Sequence, residues 1–147
     1  MNVTSALGRA IFGGFFLYSG INHLRETQHM AQYAGAKGVP KPDFMVKATG
    51  VMLIVGGASV LLGVKPKWGA VPIAAFLAGV SPVMHDFWRQ QDPGQRQNDL
   101  INFAKNVALL GAAVELMGHR GSAEDRSSDD WGDTTHHNWR SGSHRAA

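Results

Sequence analysis

Apolar residues are concentrated in four stretches of this 147-residue chain, with polar residues between and after them. The stretches run from about Val3 to Asn22, Phe44 to Gly63, Trp68 to Trp88, and Leu100 to Gly118. Each approaches or reaches the roughly 20 residues that a helix needs to cross hydrocarbon. They are apolar around most of their circumference, whereas a soluble bundle of this size would need a polar face on every helix. The pattern therefore predicts an all-α fold, a membrane four-helix bundle.

The last part of the chain, from Gly121 to Ala147, has almost no aliphatic side chains. It mixes acidic residues with Ser, His and Arg, a composition typical of disordered segments. We expect a transmembrane domain over residues 1–120 and a polar, largely irregular C-terminal tail over residues 121–147. Trp131 and Trp139 are unusual in a solvated tail, and they are candidates for docking onto a partner protein or onto lipid headgroups.

Small residues recur at four-residue spacing in every predicted span. Because lipid is as apolar as leucine, membrane helices associate through close backbone approach, which small side chains permit. We therefore expect these positions to form the packing seams, although alanine and glycine are also common in membrane helices in general. They are Ala6, Ala10 and Gly14 in the first span, Ser59 and Gly63 in the second, Ala70, Ala74 and Ala78 in the third, and Ala104, Ala108 and Ala112 in the fourth.

The composition excludes several kinds of site and partner. The chain has no cysteine, which excludes disulfides, thiolate metal sites and thiol redox relays. The formal charge of +3 fits loop cations at a membrane surface, because no basic run is interleaved with aromatic residues. We therefore expect membrane lipids around the protein and no binding to nucleic acid.

Four spans would place both termini on one side of the membrane, called side A here. The loops 23–43 and 89–99 would lie on the other, called side B. Loop cations are divided too evenly between the sides to orient the protein. The first span also resembles a secretory signal, which would leave three spans, but a poor cleavage site follows it. The first and third spans both finish with a histidine, and duplicated helical hairpins would place both histidines on side B; chance similarity between apolar helices is the alternative.

Polar side chains inside the predicted spans are the candidates for function, because an ionisable group at the bilayer centre costs about 2.5 to 3.5 kcal/mol on insertion scales. Asp86 is expected to pair with Lys105 or His23, and Pro82 is expected to kink the third span and open a polar space beside it. The candidate site on side B consists of Asn22, His23, His85, Asp86, Trp88, Asn102, Lys105 and Asn106.

Each of these candidates also has a purely structural interpretation. Polar residues at the ends of membrane helices commonly serve as caps and headgroup contacts, and Trp88 is where an aromatic belt would lie. On side A, Arg9 and Glu115 are expected to form an interhelical ion pair. Two histidines and one aspartate are common by accident, so no metal site is expected. No nucleophile elbow, phosphate loop, dinucleotide fingerprint or zinc-protease motif is present.

A series of different short motifs extends over most of the chain. It comprises Gly8-Arg9, Gly13-Gly14-Phe15-Phe16, Ser19-Gly20, Asn22-His23, Tyr33-Ala34, Lys37-Gly38-Val39-Pro40, Gly56-Gly57, His85-Asp86-Phe87-Trp88, Asn102-Phe103 and Lys105-Asn106. From about Leu7 to Gly118 the chain resembles the DoxX family of small bacterial membrane proteins. The resemblance implies a four-span protein of the bacterial cytoplasmic, or inner, membrane. It implies function only loosely, because relatives include quinone-reducing subunits, membrane partners in oxidative-stress complexes and members without an assigned activity.

Two functional hypotheses follow. The first is an accessory membrane subunit without catalytic activity, docked through its tail onto other subunits of a larger redox or energy-transducing complex. The second is a quinone-interacting oxidoreductase subunit. In it, His23, His85 and Asp86 would hydrogen-bond a quinone and exchange protons with it, and Trp88 would stack on the ring. A quinone is the one cofactor considered, and neither hypothesis identifies a substrate.

Overall fold

The structure, a computed structural model, describes residues 3–118. Within that range every regular element is an α-helix: α1 (Val3–Arg25), α2 (Thr27–Ala36), α3 (Pro42–Leu62), α4 (Pro66–Met84) and α5 (Pro93–Gly118). The all-α prediction is therefore confirmed for this part of the chain. The predicted tail, with Trp131 and Trp139, lies outside the described residues.

Three of the five helices, α3, α4 and α5, are long and apolar enough to cross a membrane. The prediction that the chain is a membrane protein is therefore confirmed, whereas its four spans are not. Helix α1 has 23 residues but is not among those three, since the polar residues along it lower its mean hydropathy. The fourth span of the predicted bundle therefore stays a prediction.

The segment between the first two predicted spans is not a simple loop. The chain bends at Glu26, whose amide donates to the carbonyl of Asn22 at 2.8 Å, and then continues as α2. Helix α2 buries Thr27, Ala31 and Ala34 on one face. Ala31 and Ala34 form a small core with Val46 at the start of α3. The helix was missed because its few apolar residues give too weak a periodic pattern when its packing partner is unknown.

The third predicted span extends too far. Helix α4 ends at Met84, and His85, with φ −123° and ψ 56°, leaves the helical conformation. Pro82 lies in the last turn, where its missing amide leaves the carbonyl four residues earlier without that donor. The next helix begins at Pro93, seven residues before the predicted start, because proline is well suited to the first turn of a helix. His85 therefore caps α4 and begins a linker, residues 85–92, in which Asp86 and Trp88 also lie.

Glycines bring α1 and α3 into backbone contact. A Cβ atom added to Gly13 would lie 2.7 Å from the carbonyl oxygen of Gly57, and one added to Gly20 would lie 2.6 Å from that of Gly50. In the first span, this seam differs from the predicted one, because a Cβ on Gly14 would meet nothing within 4 Å. Glycine at these contacts lets the two helices pack more closely than any larger residue would allow.

The predicted seams on the other helices are partly right. Ala70 and Ala74 of α4 are buried as expected, whereas Ala78 is exposed. On α5 the buried alanine is Ala113, while Ala104 and Ala108 are exposed. Four-residue spacing occurs on several faces of an alanine-rich helix at once, so spacing alone does not select the face that meets a neighbour.

The helices pack in the order α1, α3, α4, α5, with α2 against α3. One main core joins Phe16, Leu53, Ile73, Leu77 and Ala113, which come from all four long helices. At one end of the assembly α1 finishes, α3 begins, α4 finishes and α5 begins. This end, which corresponds to side B, carries the groups described next.

Candidate functional site

A cluster of charged and polar side chains joins three separate segments at side B. Lys37 caps α2, His85, Asp86 and Gln90 lie on the linker after α4, and Asp99 lies in α5. These five residues are called the charged cluster. Sequence reasoning identified only His85 and Asp86 among them.

The shortest contact in the charged cluster joins Lys37 and Asp86. Lys37 Nζ donates to Asp86 Oδ1 at 2.5 Å, and the two side chains are only 16% and 18% exposed. The hydrogen bond from Lys37 is the main reason that the pKa of Asp86 is lowered, and the same bond raises the pKa of Lys37. Both groups are therefore charged over the ordinary range of pH. The expected partners of Asp86, Lys105 and His23, do not fill this role.

Tyr33 packs beside this ion pair. Its hydroxyl donates to the carbonyl oxygen of Met84 at 3.5 Å, and Lys37 Nζ lies 6.0 Å from the centre of its ring. Together these contacts tie the end of α2 to the end of α4. The pair thus links two segments that are far apart in the sequence.

Asp99 is the second carboxylate of the charged cluster. Gln90 Nε2 donates to its Oδ2 at 3.0 Å, whereas Lys37 Nζ lies 3.9 Å from the same oxygen. On the other side, His85 Nδ1 lies 3.5 Å from Asp99 Oδ1. That histidine nitrogen is buried and makes no hydrogen bond within the described part of the chain. The His85–Asp99 contact is therefore close in distance but lacks the alignment of a hydrogen bond.

His23 is not a member of the charged cluster. Its Nδ1 lies 2.8 Å from the carbonyl oxygen of Ser19, one turn earlier in α1, so this nitrogen carries the proton when the ring is neutral. The ring also packs edge-on against Phe76 of α4, with ring centres 5.6 Å apart. Both contacts are structural, and they hold His23 against the helices.

The remaining side B candidates have different surroundings. Asn22, Asn102 and Asn106 are half-buried, and Lys105 is exposed. Trp88 is 52% exposed and belongs to an aromatic group with Phe87 and Phe103, with ring centres 5.0 to 6.0 Å apart. Phe87 and Trp88 directly follow Asp86 in the sequence, and their contacts with Phe103 connect the linker to α5.

At side A the guanidinium of Arg9 lies against the end of α3. Its Cζ atom would be 3.2 Å from a Cβ atom built on Gly63, the residue that follows the last turn of α3. The negative end of the helix dipole favours a cation at this position. Glu115 is exposed on α5, and no ion pair between Arg9 and Glu115 is seen among residues 3–118.

Two residues that matter at this site gave only weak sequence signals. Lys37 appeared as a loop cation and within the Lys37-Gly38-Val39-Pro40 motif, without a partner. Asp99 immediately precedes the predicted fourth span and was assigned to a loop. An acidic residue one position from an apolar run was the available signal. Within the described residues, no group of three or more His, Asp or Glu side chains is placed to hold a metal ion.

The DoxX family model matches residues 4–86, which is more than half of the chain. The match covers α1 to α4 and ends at Asp86, so it includes His23, Lys37, His85 and Asp86 but not Asp99. The resemblance noted above extended to Gly118, and the part beyond Asp86 lies outside the match. None of the curated proteins or solved structures compared with the chain matches it.

Proposed function

This chain belongs to the DoxX family, and from that premise we propose that it is a four-span accessory subunit of a larger redox or energy-transducing complex. The proposed location is the bacterial inner membrane, where the chain would be a multi-pass protein. The proposed partners are membrane lipids and other membrane subunits, the latter bound through the C-terminal tail.

The fourth span is supported by the length and contacts of α1. Its 23 residues measure roughly 34 Å, against a hydrocarbon thickness of about 30 Å. The glycine contacts at Gly13 and Gly20 hold α1 alongside α3, which is itself apolar enough to cross. Arg9, an arginine of α1, places its guanidinium beside the end of α3 and not beside the middle of that helix. A helix packed along a membrane span in this way crosses the bilayer with it.

The accessory role rests on how the polar groups at side B are used. Lys37 and Asp86 neutralise each other, Gln90 bonds Asp99, and His23 bonds a carbonyl of its own helix. Side chains committed to one another in this way hold segments together and have little capacity left for a ligand. The exposed surface of α5 also supports an accessory role, since only Asp99 and Ala113 of its 26 residues are buried. A partner subunit or lipid would cover the exposed positions.

Co-purification tests the accessory role. The full chain, carrying an affinity tag, is isolated gently from its native membrane, and the proteins that accompany it are identified. We expect a defined set of membrane subunits, released when Gly121–Ala147 is deleted and weakened when Trp131 and Trp139 are both replaced by alanine. The exposed Trp68 at side A is the matched control for the tryptophans. Retention of the same subunits after the tail deletion would contradict the proposed docking.

A quinone-interacting role is the second candidate, and one observation favours it. Among residues 3–118 His85 Nδ1 is buried without a hydrogen-bond partner, and the linker that carries it also carries the aromatic pair Phe87 and Trp88. A quinone offers a carbonyl oxygen to a histidine and a flat ring to aromatic side chains. The residues thus fit the group, with His85 holding or donating a proton and Trp88 packing on the ring.

Replacement of His85 by alanine and of Asp86 by asparagine separates the two candidates. If the chain acts on a quinone, both variants should reduce the rate of quinone reduction in membranes at least tenfold while the protein still assembles. His29, an exposed histidine of α2, provides the control as His29→Ala. Unchanged turnover with normal assembly would eliminate the quinone role and leave the accessory role standing.

A further inference from the structure

We propose that α5 is the contact surface for a second copy of this chain, inserted in the same membrane in the opposite orientation. The inference goes beyond the proposed accessory role, because it concerns contact between identical chains. It starts from two ionisable side chains on the uncovered surface of α5, Lys105 and Glu115. Both are exposed, and neither forms an ion pair within residues 3–118.

Helix α5 is the least covered of the three helices that are long and apolar enough to cross a membrane. Only 6% of its apolar 18-residue segment is buried, against 33% for α3 and for α4. Within the described chain α5 packs mainly against α4. Most of its circumference is therefore left to lipid or to another protein.

Lys105 and Glu115 share the uncovered half of this helix. From the geometry of an α-helix, Glu115 is about 160° round α5 from both buried residues, Asp99 and Ala113. Lys105 lies about 100° from the midpoint of the same two residues. The two charged residues are ten positions apart, which is about 15 Å along the helix and about 80° round it. Both fall inside the apolar stretch 100–118, where an unpaired charge is costly.

An antiparallel copy of α5 brings opposite charges together. In a parallel pair each residue would lie at the level of its own counterpart, so lysine would meet lysine and glutamate would meet glutamate. In an antiparallel pair that crosses at Leu110, Lys105 of each chain lies at the level of Glu115 of the other, because both are equally far from the crossing point. The contact is then two-fold symmetric and contains the same ion pair twice.

Two further properties of the chain allow this pairing. Ala104, Ala108 and Gly111 are exposed beside the two charges, and small side chains let membrane helices approach closely. The loop cations are divided too evenly between side A and side B to favour one orientation. Copies of both orientations can therefore be present in one membrane and meet through α5.

Cysteine cross-linking of the full chain in its native membrane tests the contact, since the chain has no native cysteine. In the antiparallel pair the two copies of residue 111 are about 3 Å apart along the helices, whereas those of residue 104 are about 18 Å apart. A short thiol-to-thiol reagent should therefore join two Gly111→Cys chains and should fail with Ala104→Cys. Equal cross-linking at both positions would indicate a parallel dimer, and none at either would indicate lipid or a different subunit. Both results overturn the proposal.

Charge reversal identifies the cause of the contact. Lys105→Glu or Glu115→Lys alone should lower the cross-linking yield of Gly111→Cys roughly tenfold, because like charges would then meet. The two reversals in one chain recreate both ion pairs and should recover the yield. Lys47→Glu, at an exposed lysine of α3, is the control and should leave the yield unchanged. Equal yields from the single and double reversals would overturn the proposal.

Fixing the orientation tests the inverted copy directly. Lysines inserted after Gly118 add positive charge at side A and give the chain one preferred orientation; this variant is called the oriented chain. Alone, the oriented chain should lose the cross-link at Gly111→Cys. It should regain the cross-link when it is coexpressed with a chain that carries the lysines after Gln91, at side B, and inserts the other way. A cross-link that persists in the oriented chain alone would contradict the inverted pairing.

Discussion

Lys37 Nζ lies 2.5 Å from Asp86 Oδ1, although 49 positions separate the two residues in the chain. The pair joins the end of α2 to the linker after α4, and each member is mostly shielded from water. A contact of this kind matters in a small membrane protein because it connects helices that otherwise meet mainly through apolar packing. Its loss should be measurable.

We expect Lys37→Met to lower the melting temperature by a few degrees, since it leaves Asp86 partly buried without its main donor. Asp86→Asn should have a similar effect, and the double variant should lose less than the sum of the two. Thermal unfolding of the detergent-solubilised chain measures this coupling. Lys47→Met, at an exposed lysine of α3, is the control. Strict additivity of the two changes would show that the contact contributes nothing.

The same pair predicts how stability depends on pH. The folded pKa of Asp86 lies below the ordinary value of 3.8, so its contribution is complete above that value and is lost as the pH falls through the lowered pKa. The folded pKa of Lys37 lies above the ordinary value of 10.5, so its contribution is complete below 10.5 and is lost as the pH rises through the raised pKa. The pair should therefore stabilise the protein evenly between these limits.

The measurement is the difference in melting temperature between the wild-type chain and Asp86→Asn across a range of pH. This difference should be flat between the two limits and should shrink outside them. Taking a difference removes the titration of the other groups from the comparison. A difference that varies steeply in the neutral range would contradict the assignment of the pair.

Adjacent glycines of α1 provide a matched test of the helix seam. A Cβ on Gly13 would lie 2.5 Å from the amide nitrogen of Leu61, whereas one on Gly14 would meet nothing within 4 Å. Gly13→Ala should destabilise the protein by about 1 to 3 kcal/mol, the range for overpacking. Gly14→Ala should be neutral or stabilising, because alanine is the better helix former. Chemical unfolding in mixed micelles measures both, and equal effects at the two sites would disprove the close contact.

The fourth span can be tested by labelling, because the chain has no native cysteine. Single cysteines are placed at Val3, Gln32 and Lys65 of the oriented chain, all of which are exposed, and a membrane-impermeant maleimide is applied to one side of sealed vesicles. If α1 and α3 both cross, Val3 and Lys65 react from one side and Gln32 from the other. Reaction of Val3 from the same side as Gln32 would show that α1 does not cross.

The apolar pattern located α3 to within two residues, predicting Phe44–Gly63 where the helix is Pro42–Leu62. It succeeded there because the length of an apolar run is a property of consecutive residues and needs no knowledge of neighbours. The same pattern overran α4 by four residues, to Trp88, since aromatic residues just beyond a helix are as apolar as those inside it. Helix α2 was missed because its buried face is defined only by contact with α3.

The candidate site could be predicted only in part. His85 and Asp86 stood out because ionisable groups beside an apolar run are costly, and the structure brings both into the charged cluster. Their partners, Lys37 and Asp99, lie in segments whose distance from the linker is set by how α2 and α5 pack. The geometry also separates His23 from this cluster by turning its Nδ1 toward a carbonyl of α1.

Consecutive apolar residues alone determined that this chain has long membrane helices, because the free energy of placing a helix in lipid is a sum over neighbouring residues. Which faces of those helices touch, and which charges meet, was decided only by the tertiary structure. Gly13 and Gly14 have the same chemistry and adjacent positions, yet only one lies against another backbone. Lys37 finds Asp86 for the same physical reason: the interaction energy depends on distance in space, and the order of residues along the chain does not specify that distance.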